Sequence, residues 1–208
     1  MQTKFIQRAM TGAVAAAAML IAGAAQASLV ARDLNGDTVT DAFYDSDLNI
    51  TWLRDANVNG RMNWATAVSW ADGFSFGGYS DWRLPTSDTC EDFNCTGSEM
   101  GHLWYVELGN LAGGPMTNAG DFQNLQATHY WSGTEYALFP GNAWFFDIST
   151  GDQFVSVRFG ISGGNQLMLA MAVRPGDVTV AGVPEPQTYA LVLMGLSAMV
   201  LARRRQRR

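Results

Sequence analysis

Three adjoining blocks close this chain, and they decide which residues can belong to a folded body. Val183-Pro184-Glu185-Pro186 precedes an apolar run from Tyr189 to Ala202, and a basic cluster follows. The cluster comprises Arg203, Arg204, Arg205, Arg207 and Arg208. As a helix, the run of about 14 residues rises about 21 Å against a hydrocarbon core of roughly 30 Å, so we expect a short membrane helix at about 188–202. Because arginines resist crossing the bilayer, we expect them to stay in the cytoplasm and the residues before Tyr189 to lie outside it.

The N-terminal residues have the three parts of a secretory signal peptide. Lys4 and Arg8 form a basic region, residues 13–21 form an apolar region, and a small-x-small cleavage site ends at Ala27. The pattern predicts cleavage between Ala27 and Ser28 and export through Sec-type machinery. A retained N-terminal membrane anchor is the alternative, which the short apolar region disfavours.

The tail resembles a PEP-CTERM sorting signal in the order and position of its parts. The resemblance rests on Pro184, Glu185 and Pro186, on the apolar run and on the arginines after it. It implies that a membrane enzyme, an exosortase, cuts a membrane-anchored precursor near the motif and passes the protein to the cell surface or extracellular matrix. An ordinary single-span tail anchor is the alternative, and both interpretations place the body outside the cytoplasm.

The body between the two ends, residues 28–183, is strongly acidic. Two of the chain's 13 basic residues lie in the signal peptide and five in the tail, whereas 18 of the 19 acidic residues lie in the body. The body therefore has a net charge of about −12. Such a surface repels phosphate backbones, so nucleic acid is excluded as a partner, while divalent cations and neutral glycans are compatible with it.

Apolar patterns in the body predict an α+β fold with a mainly antiparallel sheet and two short helices. Strands are expected at 42–44 and 50–53, which form a hairpin around the turn-like residues 45–47. Further strands are expected at 130–132, 143–148, 154–159 and 167–173. Asn63 is expected to cap a helix whose apolar residues between Trp64 and Ala71 recur at helical spacing, with Gly73 as its stop. A second helix is expected from Ser98 to Leu108.

The two cysteines of the chain, Cys90 and Cys95, lie close together in a polar segment. Because the compartments of exported proteins are oxidising, we expect a local disulfide that fastens a loop. A pair of free thiols is the alternative.

Oxygen-bearing side chains are regularly spaced near the start of the body. Asp33, Asn35, Asp37 and Asp41 stand at positions 1, 3, 5 and 9 of a calcium-binding loop. The sixth and twelfth positions lack the glycine and the bidentate acid of such a loop. A calcium site and a polar turn without a metal are therefore both open, and no other cofactor is expected.

The body resembles a domain of unknown function that is common in exported bacterial proteins and also forms the C-terminal domain of a collagen-like adhesin. The strings that carry the resemblance are Asn49-Ile50-Thr51-Trp52-Leu53-Arg54-Asp55, Gly78-Tyr79-Ser80-Asp81-Trp82-Arg83-Leu84-Pro85-Thr86, Tyr130-Trp131-Ser132 and Ala172-Val173-Arg174-Pro175. The resemblance implies a C-type-lectin-like fold, related in shape to the formylglycine-generating enzymes. The sugar-binding motifs of calcium-dependent lectins and the active-site cysteines of those enzymes are missing, so neither activity is implied.

Together these features predict five consecutive parts. They are a signal peptide over 1–27, an acidic N-terminal segment over 28–41, a C-type-lectin-like domain over 42–176, a linker over 177–183 and a sorting tail over 184–208.

All seven tryptophans lie in the body, and most are expected in its core. Trp70 departs from the apolar stripe of its helix, and Trp144 lies in a Trp-Phe-Phe run whose alternation would point an aromatic ring outward. These two are the predicted ligand face.

No nucleophile elbow, metalloprotease helix or phosphate loop is present in the sequence, so we expect no catalytic residues and no enzyme. The resulting hypothesis is an exported envelope or matrix protein whose noncatalytic domain binds extracellular polysaccharide or another surface ligand. PEP-CTERM proteins as a group are associated with exopolysaccharide and biofilm formation, which is what the resemblance implies about the partner. An envelope enzyme acting on glycans and a purely structural matrix component are the alternatives.

Overall fold

The computed structural model describes residues 29–156 and 166–178. The predicted signal peptide, its cleavage site at Ala27 and Ser28, the Pro184-Glu185-Pro186 motif, the membrane helix and the arginine cluster all lie outside the described residues. Within the described ranges, no helix combines the length and the apolar character that a membrane span requires.

Four strands form the first sheet: β1 (Leu29–Arg32), β2 (Ala42–Asp45), β3 (Ile50–Leu53) and β7 (Val173–Pro175). They lie in the order β1-β2-β3-β7, and each neighbouring pair is antiparallel. The predicted hairpin of β2 and β3 is confirmed. Its turn is closed by Oδ1 of Asp45, which accepts hydrogen bonds from the amides of Asp47 at 3.1 Å and Leu48 at 3.0 Å.

The folded body begins before the predicted domain boundary at residue 42 and extends past the one at 176. β1 pairs along its length with β2, with Leu29 opposite Asp45 and Arg32 opposite Ala42. The acidic N-terminal segment predicted over 28–41 therefore supplies an edge strand to the domain. At the other end, Val178 is buried in one apolar cluster with Leu34, although it lies in the expected linker.

Three antiparallel strands form the second sheet: β4 (His129–Glu135), β5 (Ala143–Asp147) and β6 (Asp152–Val155). The predicted strand over 167–173 is wrong for most of its length. Met168 forms a single bridge to Met62 and Leu169 one to Tyr130, and only Val173 belongs to a strand. The segment crosses from the second sheet to the first, so it cannot pair continuously with either.

Helix α1 (Trp64–Gly73) confirms the first predicted helix. Oδ1 of Asn63 accepts a hydrogen bond from the amide of Thr66 at 2.9 Å, which satisfies one of the free donors of the first turn. Ala67 and Ala71 are buried on its inner side. The amide of Phe74 donates to the carbonyl of Ala71 at 3.1 Å, and the chain leaves the helix there in an extended conformation.

The second predicted helix exists but changes its winding midway. Helix α2 (Glu99–His102), capped by Ser98, continues directly into a π-helical turn over Leu103–Glu107. In this turn the amide of Leu108 donates to the carbonyl of Leu103, five residues back, at 2.9 Å. The sequence pattern gave no sign of this wider turn.

The apolar side chains pack into three clusters around the two sheets. Trp52, Trp104 and Trp131 are fully inaccessible and Trp82 nearly so, which confirms the prediction that most tryptophans are core residues. Neighbouring side chains of β5 enter different clusters: Phe145 lies with Trp131 and Phe146 with Trp104. The second sheet is therefore covered on both faces.

Two bidentate ion pairs fix the string around Trp82. Arg83 donates to both carboxylate oxygens of Glu99 at 2.7 Å, and Arg174 donates to both oxygens of Asp81 at 2.9 and 3.0 Å. The guanidinium of Arg174 also lies 4.2 Å from the centre of the Tyr79 ring. Both arginines thus act as framework residues that hold neighbouring segments together.

Candidate functional site

The loop between β1 and β2, residues 33–41, is organised by side chains that bind the loop's own backbone; we call it the aspartate loop. Asp33 accepts hydrogen bonds from the amides of Gly36 and Thr38, both at 2.7 Å. Asn35 accepts one from Asp37 at 2.9 Å. Such turns are what short polar side chains form when they replace backbone partners.

Three predicted ligands meet in this loop. The carboxylates of Asp33, Asp37 and Asp41 each place an oxygen within 4.8 Å of the others. The side-chain oxygen of the fourth, Asn35, is engaged by a backbone amide. Desolvation raises the pKa of Asp33, but hydrogen bonds from the amides of Thr38 and its neighbours outweigh it and hold that pKa below its ordinary value. The three carboxylates are hard oxygen donors of the kind that Ca²⁺ prefers.

A cleft of about 350 Å³ adjoins the aspartate loop; we call it the loop cleft. It lies between the end of the aspartate loop, the chain leaving β3 and the segment that follows α1. Its lining includes Asp41, Arg54, Asp55, Phe74, Phe76 and Gln123. Apolar rings and a few polar groups thus converge in one concavity, which is the usual composition of a small-ligand site.

The charged groups of the cleft are held in place by hydrogen bonds to the backbone and to one side chain. Arg54 donates from Nε to the carbonyl of Asp121 and from Nη1 to the carbonyl of Thr40, both at 3.1 Å. The carboxylate of Asp55 accepts from the side-chain amide of Asn124 at 3.0 Å. The backbone amide of Gln123 donates to the carbonyl of Arg54 at 2.9 Å, which fixes the exposed Gln123 beside the arginine. The cleft therefore offers a cation and an anion at set positions, with the exposed side chain of Gln123 beside them.

The aromatic wall of the cleft comes from the segment after α1. Phe74 and Phe76 lie with ring centres 6.4 Å apart and planes only 2° from parallel. Phe74 also packs 5.4 Å from Trp70, which is half-buried against two of the apolar clusters. The predicted ligand-face residue Trp70 therefore supports the wall, and two phenylalanines that the sequence analysis did not single out form it.

A glycine turn joins this wall to the aspartate loop. The amide and the carbonyl of Phe76 pair with those of Tyr79 at 3.0 Å, and Gly77 between them has φ +60°. A Cβ at Gly77 would also collide with Leu34 in the aspartate loop. Only glycine meets both the backbone angle and the close approach. The Gly-Gly before Tyr79 in the sequence was the available signal for this turn.

Trp144 does not belong to a ligand face, which corrects the prediction. It is 4% exposed and packs edge-on against Tyr136 at 5.7 Å. The prediction assumed that one face of its strand meets solvent, but the residues from Ala143 to Phe146 are all buried because clusters cover both faces.

Cys90 and Cys95 form a disulfide with their Cα atoms 5.5 Å apart. The loop that they close is tied to β6, since Asp92 and Gln153 exchange backbone hydrogen bonds at 2.9 and 3.0 Å. The side-chain amide of Gln153 also donates to the carbonyl of Cys90 at 2.7 Å. This loop is a structural element and lines neither the aspartate loop nor the loop cleft.

The fold and the cleft define a class of protein: an antiparallel α+β domain that carries its candidate site on the loops of its first sheet. The chain belongs to the Lcl C-terminal domain family, whose model matches residues 41–168. A PEP-CTERM protein-sorting motif matches residues 182–208. Comparison with curated proteins and with solved structures gave no match.

The sorting motif establishes where the chain is directed. It identifies an exported protein that is sorted through its C-terminal tail from a membrane-anchored precursor, with an exosortase as the processing partner. The match includes Pro184, Glu185 and Pro186 and the arginines that the sequence analysis assigned to this signal.

Proposed function

We propose that this protein is an adhesin-like component of the cell surface or matrix, whose C-type-lectin-like domain binds extracellular polysaccharide in the loop cleft without catalysing a reaction. The observation that carries the proposal is the pairing of parallel Phe74 and Phe76 rings with Arg54, Asp55 and Gln123 in one concavity. Family membership and the sorting motif support the location.

The chemistry of the cleft suits a sugar chain. The C–H faces of pyranose rings are apolar and pack on aromatic rings, whereas their hydroxyl groups both donate and accept hydrogen bonds. Arg54 and Gln123 supply donors, and Asp55 and Gln123 supply acceptors. Because Arg54 and Asp55 are held by backbone and side-chain partners, little ordering entropy is lost when a ligand binds.

Calcium is the cation that we assign to the aspartate loop. Asp41 lines the cleft and also belongs to the three-carboxylate group, so a bound Ca²⁺ would stand at the margin of the sugar site. It would also offset part of the body's net charge of about −12, which otherwise repels anionic polysaccharides. We therefore assign neutral glycans as ligands without calcium and acidic ones only with it.

The sorting pathway completes the proposal. The signal peptide would be removed after Ala27 by the Sec route, and exosortase cleavage near Pro184-Glu185-Pro186 would free the domain from its membrane anchor. The basic cluster would stay on the cytoplasmic side until that cleavage. The domain would then act in the extracellular matrix.

The test is retention of the producing cell's own extracellular polysaccharide by the protein purified from exporting cells. Phe76→Ala and Gln123→Ala should each reduce retention several-fold, because each removes a cleft group. Phe139→Ala is the matched control, since Phe139 is an exposed aromatic residue outside the cleft lining. Equal retention by all variants would contradict the proposal. Release of new reducing ends from the polysaccharide during incubation would instead favour an enzyme that acts on glycans.

A further inference from the structure

A second group of ligating side chains lies inside the domain, apart from the aspartate loop. Asp45 stands at the end of β2, His102 at the end of α2 and Glu107 at the end of the π-helical turn. One ligating atom of each lies within 4.8 Å of those of the other two. Asp45 is wholly buried, the Glu107 side chain is inaccessible and the His102 side chain is 13% exposed.

The π-helical turn is what brings two of these groups together. Residues five apart in an α-helix point about 140° away from each other. The wider turn over Leu103–Glu107 instead lets the side chains of His102 and Glu107 meet, with Nε2 and Oε1 3.3 Å apart. Such insertions in helices often occur at functional sites. The winding thus serves a side-chain pair that regular helix geometry would separate.

The cluster contains a buried acceptor for which the described part of the chain supplies no donor. Oδ1 of Asp45 accepts hydrogen bonds from the amides of Asp47 and Leu48, whereas its Oδ2 is buried without a hydrogen-bond partner among the described residues. Nε2 of His102 is also buried, and its nearest charged atom among the described residues is Oε1 of Glu107 at 3.3 Å. Buried carboxylates are normally paired or bound to a metal.

We propose that Asp45, His102 and Glu107 bind one divalent transition-metal ion of the Zn²⁺ type. One imidazole and two carboxylates are a common donor set for such ions, and calcium would not use the imidazole. Two ligands on a tetrahedral zinc ion with bonds of 2.0 to 2.1 Å lie about 3.3 Å apart, which is the separation of the His102 and Glu107 atoms. The ion would neutralise both buried carboxylates.

The cluster adjoins a second cleft of about 350 Å³, which Glu107 lines together with Leu29, Phe43 and Asn118. Because the Glu107 side chain is inaccessible and the His102 side chain is 13% exposed, an ion would enter from the His102 side. The bound ion would connect β2 to the α2 and π-helical segment, two parts of the chain that are far apart in sequence. Its role is therefore to stabilise the domain, independently of glycan binding in the loop cleft.

The experiment uses the protein purified from exporting cells, stripped with chelator and titrated with zinc alone. We expect one zinc ion per chain by elemental analysis and a rise in melting temperature that calcium does not reproduce. Asp45→Asn and His102→Gln should weaken zinc binding by at least about tenfold. His129→Gln is the matched control, since His129 pairs with Asp147 outside the cluster.

A spectroscopic measurement on the unaltered protein covers the case in which a cluster variant does not fold. The chain has two histidines, so ¹⁵N-labelled histidine gives two imidazole spin systems, and His129→Gln assigns them. Zinc should shift the His102 signals and leave those of His129 in place. Unchanged His102 signals at saturating zinc, or equal zinc affinity in Asp45→Asn, would overturn the proposal.

Discussion

The backbone amide of Arg54 donates a hydrogen bond to the carbonyl of Asp41 at 2.9 Å. This contact joins the last carboxylate of the aspartate loop to the arginine of the loop cleft. The side chain of Asp41 accepts a hydrogen bond from the amide of Leu34 at 2.9 Å. Leu34 in turn lies so close to Gly77 that only glycine fits in the turn after Phe76. The loop, the arginine and the aromatic wall therefore form one connected unit.

Calcium should stabilise the protein through the aspartate loop. Millimolar Ca²⁺ is expected to raise the melting temperature by a few degrees, because binding to the folded state alone shifts the unfolding equilibrium. Asp37→Asn should abolish this rise, and Asp72→Asn, an exposed carboxylate on α1, should preserve it. A melting temperature that does not respond to calcium in the unaltered protein would identify the loop as a polar turn.

The ion pair between Arg83 and Glu99 should contribute measurably to stability. Glu99 also accepts from the amide of Thr86 at 2.7 Å, so Glu99→Gln weakens several hydrogen bonds at a partly buried site. We expect a loss of about 1–3 kcal/mol in the free energy of unfolding, measured in urea. Asp177 pairs with Arg32 and is more exposed than Glu99, so Asp177→Asn should lower the free energy of unfolding by less than about 1 kcal/mol. The reverse order would show that burial does not set these contributions.

Asp147 should make stability depend on acidic pH. Burial raises its pKa, but hydrogen bonds from His129 and Ser149 outweigh burial and lower the pKa from 3.8 to about 2. Since the folded state holds the proton less tightly, the stabilisation is present above about pH 4 and is lost as the pH falls towards 2. Solvent screening limits it to on the order of 1 kcal/mol.

The check is urea unfolding of the unaltered protein and Asp147→Asn between pH 6 and pH 3. The difference in unfolding free energy should be largest at pH 6 and shrink at pH 3. A difference that does not change with pH would assign the effect of the substitution to lost packing.

Trp144→Ala should unfold the domain more readily than Trp70→Ala. Trp144 is almost completely buried, and removing its ring is expected to cost about 3–5 kcal/mol. Trp70 is half-buried, so its loss costs less, but it supports Phe74 and should reduce polysaccharide retention. Thermal unfolding and retention assays on both variants separate the two effects. Loss of retention only in a folded Trp144→Ala variant would restore the original prediction for that residue.

Local patterns in the sequence were sufficient to predict the elements with strong local signals. The hairpin of β2 and β3, the Asn63 cap of α1 and the start of α2 at Ser98 are all found in the structure. Each depends on turn or capping residues within a few positions. The tail motif was recognisable for the same reason, since its three blocks are contiguous.

Features that depend on distant contacts were not predictable. Whether a face of β5 meets solvent depends on clusters to which α1 and the π-helical turn contribute, and alternation along one strand does not report them. The loop cleft combines Asp41, Phe76 and Gln123, which only the folded chain brings together. The prediction of a strand over 167–173 was wrong because this segment passes from the second sheet to the first.

The central claim is that the loop cleft holds extracellular polysaccharide. The most direct measurement is chemical-shift mapping on the ¹⁵N-labelled protein during titration with oligosaccharide fragments of that polysaccharide, with calcium and then with chelator. The account predicts saturable shifts at the side chains of Arg54 and Gln123 and at the amide of Phe76. Absence of shifts, or shifts confined to residues outside the cleft such as Leu138 and Phe139, would contradict it.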